Sequence, residues 1–483
     1  MFARVLGCLT CTFALSIACG DASGPHAGPN ILSGSNLSDT VTSIFSPPLV
    51  VQLLDGNKQP MSGQTVYFNT NAFVLVAPVG DPGFVIDRLP VTTDADGRAA
   101  VLVEAQYGVG AGKVVIVGPS GESVEAHYTV LAGAAAHVKA DPSDTALYVA
   151  GAMTYRPYVT DAYGNRRTDA PVYQYRALNA SLTVNSQGKA TGAGIGRGSI
   201  VISAIGFADT VLVSVVPAGR IATQYTGRGD FGGPIIVTNL DGSSFDSIPR
   251  SDPGGSSLDW SSVTHAFVFT RICTVECLLS MDTLGNIRSI VTNPLMQSEY
   301  YPRYAHDGSY IYFTGNDSVS TCYGVWRMRP DGTGLQQIVA DTLDCGRLAY
   351  TTGVPSPDYA TSPSPDGSRI VYASRTLHVR TLATGADTSL GVVGDVPRWS
   401  PIGDWIAYDS AGTIMLIHPD GTGPQALLTR TNVFILSRDV AWSPDGQWLV
   451  YREGDTRLVL VQLSTGLRLP LSFTAGLAEP SWH

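Results

Sequence analysis

The stretch "VAWSPDGQWLVYRE" (residues 440–453) sets an aromatic residue before a Ser-Pro-Asp-Gly turn and follows it with a second apolar run. Such a pattern is a strand, a tight hairpin and another strand, because Asp-Gly supplies the positive φ that short hairpins require. The pattern recurs in "PRYAHDGSYIYFTG" (302–315), "SPSPDGSRIVYAS" (362–374) and "PRWSPIGDWIAYDS" (397–410), and in weaker form in "LDWSSVTHAFVFT" (258–270). Between these hairpins lies a second kind, as in "VWRMRPDGTGLQQI" (325–338) and "IMLIHPDGTGPQAL" (414–427).

The turn glycines of the second kind are Gly242, Gly285, Gly332, Gly385, Gly421 and Gly466, at intervals of 36 to 53 residues. A four-stranded unit repeating at that period predicts a β-propeller of six blades over 220–483. Six second hairpins are met by only five first hairpins, since "RIATQYTG" (220–227) has no Ser-Pro-Asp-Gly hairpin before it. The missing strand is expected from "AEPSWH" (478–483), which would place Trp482 in the first blade and bind the two ends of the ring together.

The tandem motifs "WSPDG" (442–446), "PSPDG" (363–367) and "YAHDG" (304–308) resemble the TolB-type, WD40-like propellers of bacterial envelopes. That resemblance implies a binding platform built on a structural repeat, with no catalytic residue carried over. Upstream, 30–131 and 132–217 each hold short alternating strands of a size suited to a two-sheet sandwich. Their turns "DGN" (55–57) and "DAYGN" (161–165) resemble those of the bacterial immunoglobulin-like modules of invasin- and intimin-type surface proteins. The fold expected for the whole chain is therefore all-β: two immunoglobulin-like sandwiches followed by a six-bladed propeller. The "DADG" at 94–97 is read as a hairpin turn, because the flanking carboxylates of a calcium loop are missing.

The first residues are an address. Arg4 precedes the apolar run 5–18, too short to span a bilayer comfortably, so 1–18 is expected to be a signal peptide. The run ends "LSIAC" (15–19), which resembles the bacterial lipoprotein signal and implies a lipid on Cys19; the alternative is ordinary cleavage after Ala18 with Cys19 free. Residues 19–29 are small and polar, a tether. The mature chain then keeps Cys273, Cys277, Cys322 and Cys345, an even set that in an oxidising compartment suggests disulfides, Cys273 to Cys277 and Cys322 to Cys345. Their spacing does not suit zinc. Neither a metal nor a cofactor is expected.

Charge narrows the partners. The chain of 483 residues has a net charge of −10 without any basic block, so nucleic acid is a poor candidate and the membrane is reached only through lipid. No G-x-S-x-G or H-E-x-x-H occurs, and the chain is read as non-enzymatic. The face expected to carry the cysteine loops also carries Tyr300, Tyr301, Asp317, Tyr323, Arg347, Tyr350 and Tyr359. Asp259, Arg303 and Arg398, each just before an opening aromatic, are expected near the central channel, as ligand contacts or as ion pairs within the ring. The function read from these features is that of an envelope lipoprotein, in the outer membrane and facing the periplasm or the surface, whose propeller binds a protein or glycan. The alternatives are an adhesin that uses its sandwiches and a hydrolase or lyase acting in the channel.

Overall fold

A computed structural model describes residues 28–225, 233–248, 255–272, 276–290, 296–317, 323–340, 360–374, 376–429, 440–454 and 457–482. Its elements are strands throughout, apart from one short 3-10 helix at Ser472–Thr474. The all-β expectation is borne out. The chain divides into two compact units, one reaching to His137 together with Tyr158–Ala170, the other comprising Val138–Pro157 and Pro171–His483.

Within the first unit, two sheets face one another. One holds Gly28–Ser33, Leu49–Leu54, Arg98–Ala105 and Val74–Pro78; the other holds Leu37–Thr40, Ser123–Leu131, Gly110–Val117, Thr65–Thr70 and Arg88–Thr92. Alternation does the work here: every second residue of Leu49–Leu54 is buried, and Leu49, Val51 and Leu53 meet Val66, Phe68, Val114 and Ile116 in one core. Asp94 closes its hairpin by accepting the amides of Asp96 (2.9 Å) and Arg98 (2.8 Å), so the "DADG" carboxylate is a turn acceptor. The same arrangement recurs at Asp55 and Asp161.

In the second unit, a sheet of Thr145–Tyr148, Phe207–Val216, Gly196–Ala204 and Gln174–Ala177 faces a three-stranded one of Ala152–Thr154, Lys189–Gly192 and Leu182–Val184. Six four-stranded antiparallel sheets follow among the described residues, and they form a propeller architecture. Five of the sheets run in chain order. The first does not: its strands lie in the order Phe245–Ser247, Ile235–Asn239, Arg220–Tyr225, Leu477–Trp482. The last of these pairs antiparallel with the strand at 220–225, setting Trp482 opposite Ile221 and Leu477 opposite Tyr225.

Trp482 is 5% exposed and shares its core with Ile221, Leu240, Trp448, Leu469 and Leu477. Ala146 and Val216 of the preceding sandwich belong to that same core. Polar contacts reinforce it: Tyr148 Oη donates to Gly219 O (2.9 Å), Ser214 Oγ to Pro470 O (2.7 Å) and Ser472 Oγ to Asp144 O (2.7 Å). The second sandwich is thus packed on the sheets where the ring meets itself.

The Ser-Pro-Asp-Gly turn has a chemical reason for each of its residues. In the fourth sheet Ser364 Oγ accepts the amide of Arg369 (2.9 Å) and donates to Asp366 (2.5 Å). Asp366 in turn accepts the amide (3.1 Å) and hydroxyl (2.7 Å) of Ser368. Gly367 sits at φ +67, where a side chain would be strained. Ser443, Asp445 and Gly446 repeat the device in the sixth sheet.

Truncating the ring-closing aromatic, Trp482→Ala, is expected to cost about 3 to 5 kcal/mol of unfolding free energy in denaturant titration. The turn carboxylates set an acid limit. Hydrogen bonds from Ser364 and then Ser368 hold the Asp366 carboxyl down at about 2, below its ordinary value of 3.8. Because the folded value is the lower one, the stabilisation is complete above the unfolded value and disappears as pH falls through about 2. Asp366→Asn should therefore flatten the stability profile between those two values and leave its slope at neutral pH unchanged.

Candidate functional site

The six strands at the inner edge of the sheets are Leu477–Trp482, Gly255–Ser261, Met296–Tyr304, Thr361–Pro363, Asp395–Trp399 and Val440–Trp442. Together they line one cavity of about 250 Å³, to which each strand contributes, through Trp482, Asp259, Arg303, Pro363, Arg398 and Trp442 among others. The Ser-Pro turns also reach it, at Pro365, Pro401 and Pro444. The first-hairpin turns border the cavity, with Val263 (59% exposed) among its lining residues and Ile402 (52%) next in sequence to the lining Pro401.

Four of these strands share a backbone feature. Ser257 (φ 64), Tyr301 (φ 52), Val396 (φ 46) and Glu479 (φ 51) all lie in the left-handed region, each three residues before the aromatic. At each, the pairing with the next strand shifts register, a β-bulge. Left-handed geometry costs a non-glycine residue about 1 to 2 kcal/mol, so the surrounding ring must over-determine it. Three of the four are followed by proline, in "YPRY", "VPRW" and "EPSW". Proline fits because the bulge withdraws its missing N–H from the ladder.

The side chain just before the aromatic, or before Pro363 in the fourth sheet, then reaches sideways to the neighbouring inner strand at Ser481, Asp259, Arg303, Ser362 and Arg398. Ser481 Oγ accepts the Trp260 amide (3.2 Å) and donates to Asp259 (3.2 Å); Asp259 accepts the Tyr304 amide (2.9 Å); Ser362 Oγ accepts the Trp399 amide (3.1 Å). Glu479 adds a bond from the Leu258 amide (3.1 Å). Between the third and fourth sheets the pattern inverts, because Pro363 has no N–H to offer and the residue before Tyr304 is a donor, Arg303. Its Nη1 turns to carbonyls of the bulges, Pro302 O (2.6 Å), Ser257 O (3.3 Å) and Leu258 O (3.4 Å). Arg398 likewise donates to Val440 O (3.3 Å) and accepts, through its own carbonyl, the indole N–H of Trp442 (3.0 Å). Burial pushes the Tyr304 phenol up.

Asp259, Arg303 and Arg398 therefore meet in one cavity. The tyrosines do not join them. Tyr300 and Tyr301 lie earlier on the third inner strand, their rings 6.3 Å apart, and Tyr300 meets Tyr323 edge-on at 5.8 Å. Asp317 ends the adjacent strand Ile311–Asp317. Cys277 lies in the strand Glu276–Asp282 and is disulfide-bonded. Cys19, Cys273, Cys322, Cys345, Arg347, Tyr350 and Tyr359 lie outside the described residues. Reading the sequence missed the left-handed bulges, the prolines of the turns as cavity lining, and Glu479 and Ser481 as bridging groups. The repeated Pro two positions before an aromatic was the available signal.

The sequence matches no protein-family model and no curated protein. Among solved structures, the chain is similar to TolB from Acinetobacter baumannii at 14% identity and TM-score 0.44, over 72% of this chain and 99% of that one. It is similar to a protein assigned as TolB from Agrobacterium tumefaciens at 15% identity and TM-score 0.36, over 53% and 88%. A nidogen/laminin complex matches at 12% identity and TM-score 0.40, over 55% and 98%. At these values the propeller assignment rests on the sheet order and the shared cavity described above.

Removing the guanidinium with Arg303→Ala leaves buried carbonyls without that donor and should destabilise the fold by roughly 3 kcal/mol. Urea titration of the full chain checks this, and Arg303→Lys, which keeps a charge but loses the fork, should fall between the two.

Proposed function

We propose that this chain is a cell-envelope lipoprotein, anchored through Cys19, whose six-bladed TolB-like propeller binds a partner at the mouth of its central cavity. Two immunoglobulin-like modules carry the propeller. The observation that supports this most is the convergence of all six inner strands on one polar cavity with exposed apolar residues at its mouth. Its volume of about 250 Å³ is below the 300 to 1,000 Å³ or so that encloses a drug-sized ligand. It suits a single inserted side chain or sugar ring, with the rest of the partner spread over the surrounding turns. The apolar rim favours a protein loop as that partner.

The adhesin reading keeps one observation of its own. On the first unit Tyr107 (61% exposed) and Tyr163 (52% exposed) hold their rings 5.0 Å apart, with Asn165 Nδ2 donating to Tyr107 O (2.7 Å). Such a paired aromatic ledge suits the flat face of a sugar.

Cross-linking of the full chain in its native cells distinguishes the two. Cross-links concentrated around Val263, His306 and Ile402, and lost in a Val263→Glu/Ile402→Glu variant that melts with the parent, are the expected result. Capture that survives the double variant but is lost in Tyr107→Ala/Tyr163→Ala would transfer the contact to the sandwich.

A further inference from the structure

We propose that the outer strands of the fourth sheet carry a second chemical site, a Thr376–His378–Asp387 relay whose threonine hydroxyl is nucleophilic toward small activated carboxylic esters. It lies away from the cavity and does not depend on the binding role.

Three adjacent strands build it: Arg369–Ser374, Thr376–Thr381 and Asp387–Ser389. Thr376 and His378 are two residues apart and so share a sheet face. The ladders set His378 opposite Tyr372 on one side and Ser389 on the other, and Arg380 opposite Asp387. His378 Nδ1 is 2.9 Å from Asp387 Oδ1, and His378 Nε2 is 3.0 Å from Thr376 Oγ1. Asp387 is itself fixed at its other oxygen, which accepts from Tyr372 Oη (2.6 Å) and Arg380 Nη1 (3.4 Å). The Tyr372 ring stacks on the imidazole at 5.4 Å and 26°.

The protons along this chain have one consistent direction. An ionised Asp387 can only accept, so Nδ1 carries the hydrogen. In the neutral imidazole Nε2 is then a bare lone pair, and the bond to Thr376 must be donated by the hydroxyl. Ser389 Oγ accepts the Gly391 amide (3.2 Å) and lies 3.2 Å from Thr376 Oγ1, free to give its own proton there. Both hydroxyls are thus polarised toward His378. Nucleophile, base and orienting carboxylate in hydrogen-bond sequence are the defining arrangement of an activated hydroxyl, recognised by geometry rather than chain order. The His378 and Asp387 side chains are 26% and 27% exposed, shielded yet open to a small molecule.

The step balances without any further reagent. Thr376 Oγ1 forms a bond to the ester carbonyl carbon while its proton passes to His378 Nε2. The C–O bond to the leaving group then breaks and the leaving oxygen takes that proton. Water, deprotonated by the same nitrogen, later restores the threonine and releases the acid. Base assistance of this kind gives an acceleration of about 10² to 10⁴ over an unassisted hydroxyl.

The test uses the full chain and p-nitrophenyl acetate, read by intact mass and peptide mapping alongside thermal melts. A single acetyl group on Thr376 is expected, absent in Thr376→Val and retained in Thr376→Ser. His378→Gln and Asp387→Asn should slow its formation at least about 10²-fold. Thr376→Val is close to isosteric and should melt with the parent, which separates lost chemistry from lost fold. Absence from the parent of both an acid-trapped adduct and p-nitrophenolate release above background, an adduct on Ser389 or lysines instead, or acylation at the parent rate in His378→Gln would overturn the proposal.

Discussion

Pairing between Arg220–Tyr225 and Leu477–Trp482 is the contact on which the larger unit depends. Thr223 Oγ1 donates to Ala478 O at 2.6 Å between positions 255 apart in sequence. No nearby strand could substitute, because each of the other five sheets is completed by consecutive strands. A ring made this way joins its first and last strands within one sheet, through a contact that spans more than half of the chain. Loop-closure entropy is incurred before that contact forms, so assembly of the propeller is expected to be limited by this last joining.

Closure explains why strained backbone is tolerated inside. A left-handed valine such as Val396, only 2% exposed, is unfavourable in isolation. In the ring the bulge aims backbone groups toward the neighbouring inner strand, where Glu479, Ser481, Asp259, Ser362 and the two arginines meet them. The geometry gives these side chains a definite task, the satisfaction of buried amides and carbonyls. The two arginines can hold the cavity's shape and still present part of its lining.

Much of the fold was legible because hairpin chemistry is local. Asp-Gly turns, alternating burial and a repeating period each follow from a few neighbouring residues, and the all-β reading with a propeller followed from them. The candidate site was legible only in part. Asp259, Arg303 and Arg398 could be placed near the channel because they precede the opening aromatics. Nothing local tells whether a side chain at that position points at a ligand or at the next strand, since that depends on the partner offering an amide, as Trp399 does, or none, as Pro363. The Thr376, His378 and Asp387 cluster was invisible for a related reason: cross-strand register joins residues that no sequence motif connects.

The packing of the second sandwich on the ring's seam bears on how the molecule responds to load and to heat. Ala146 and Val216 share an apolar core with Trp448, Leu477 and Trp482, so separating the sandwich from the ring would bare that core to water. The short link between the two is therefore a weld rather than a hinge. Calorimetry should register the sandwich and the ring as one endotherm, and tension entering from the N-terminal side would be shared across the seam instead of concentrating on a single strand.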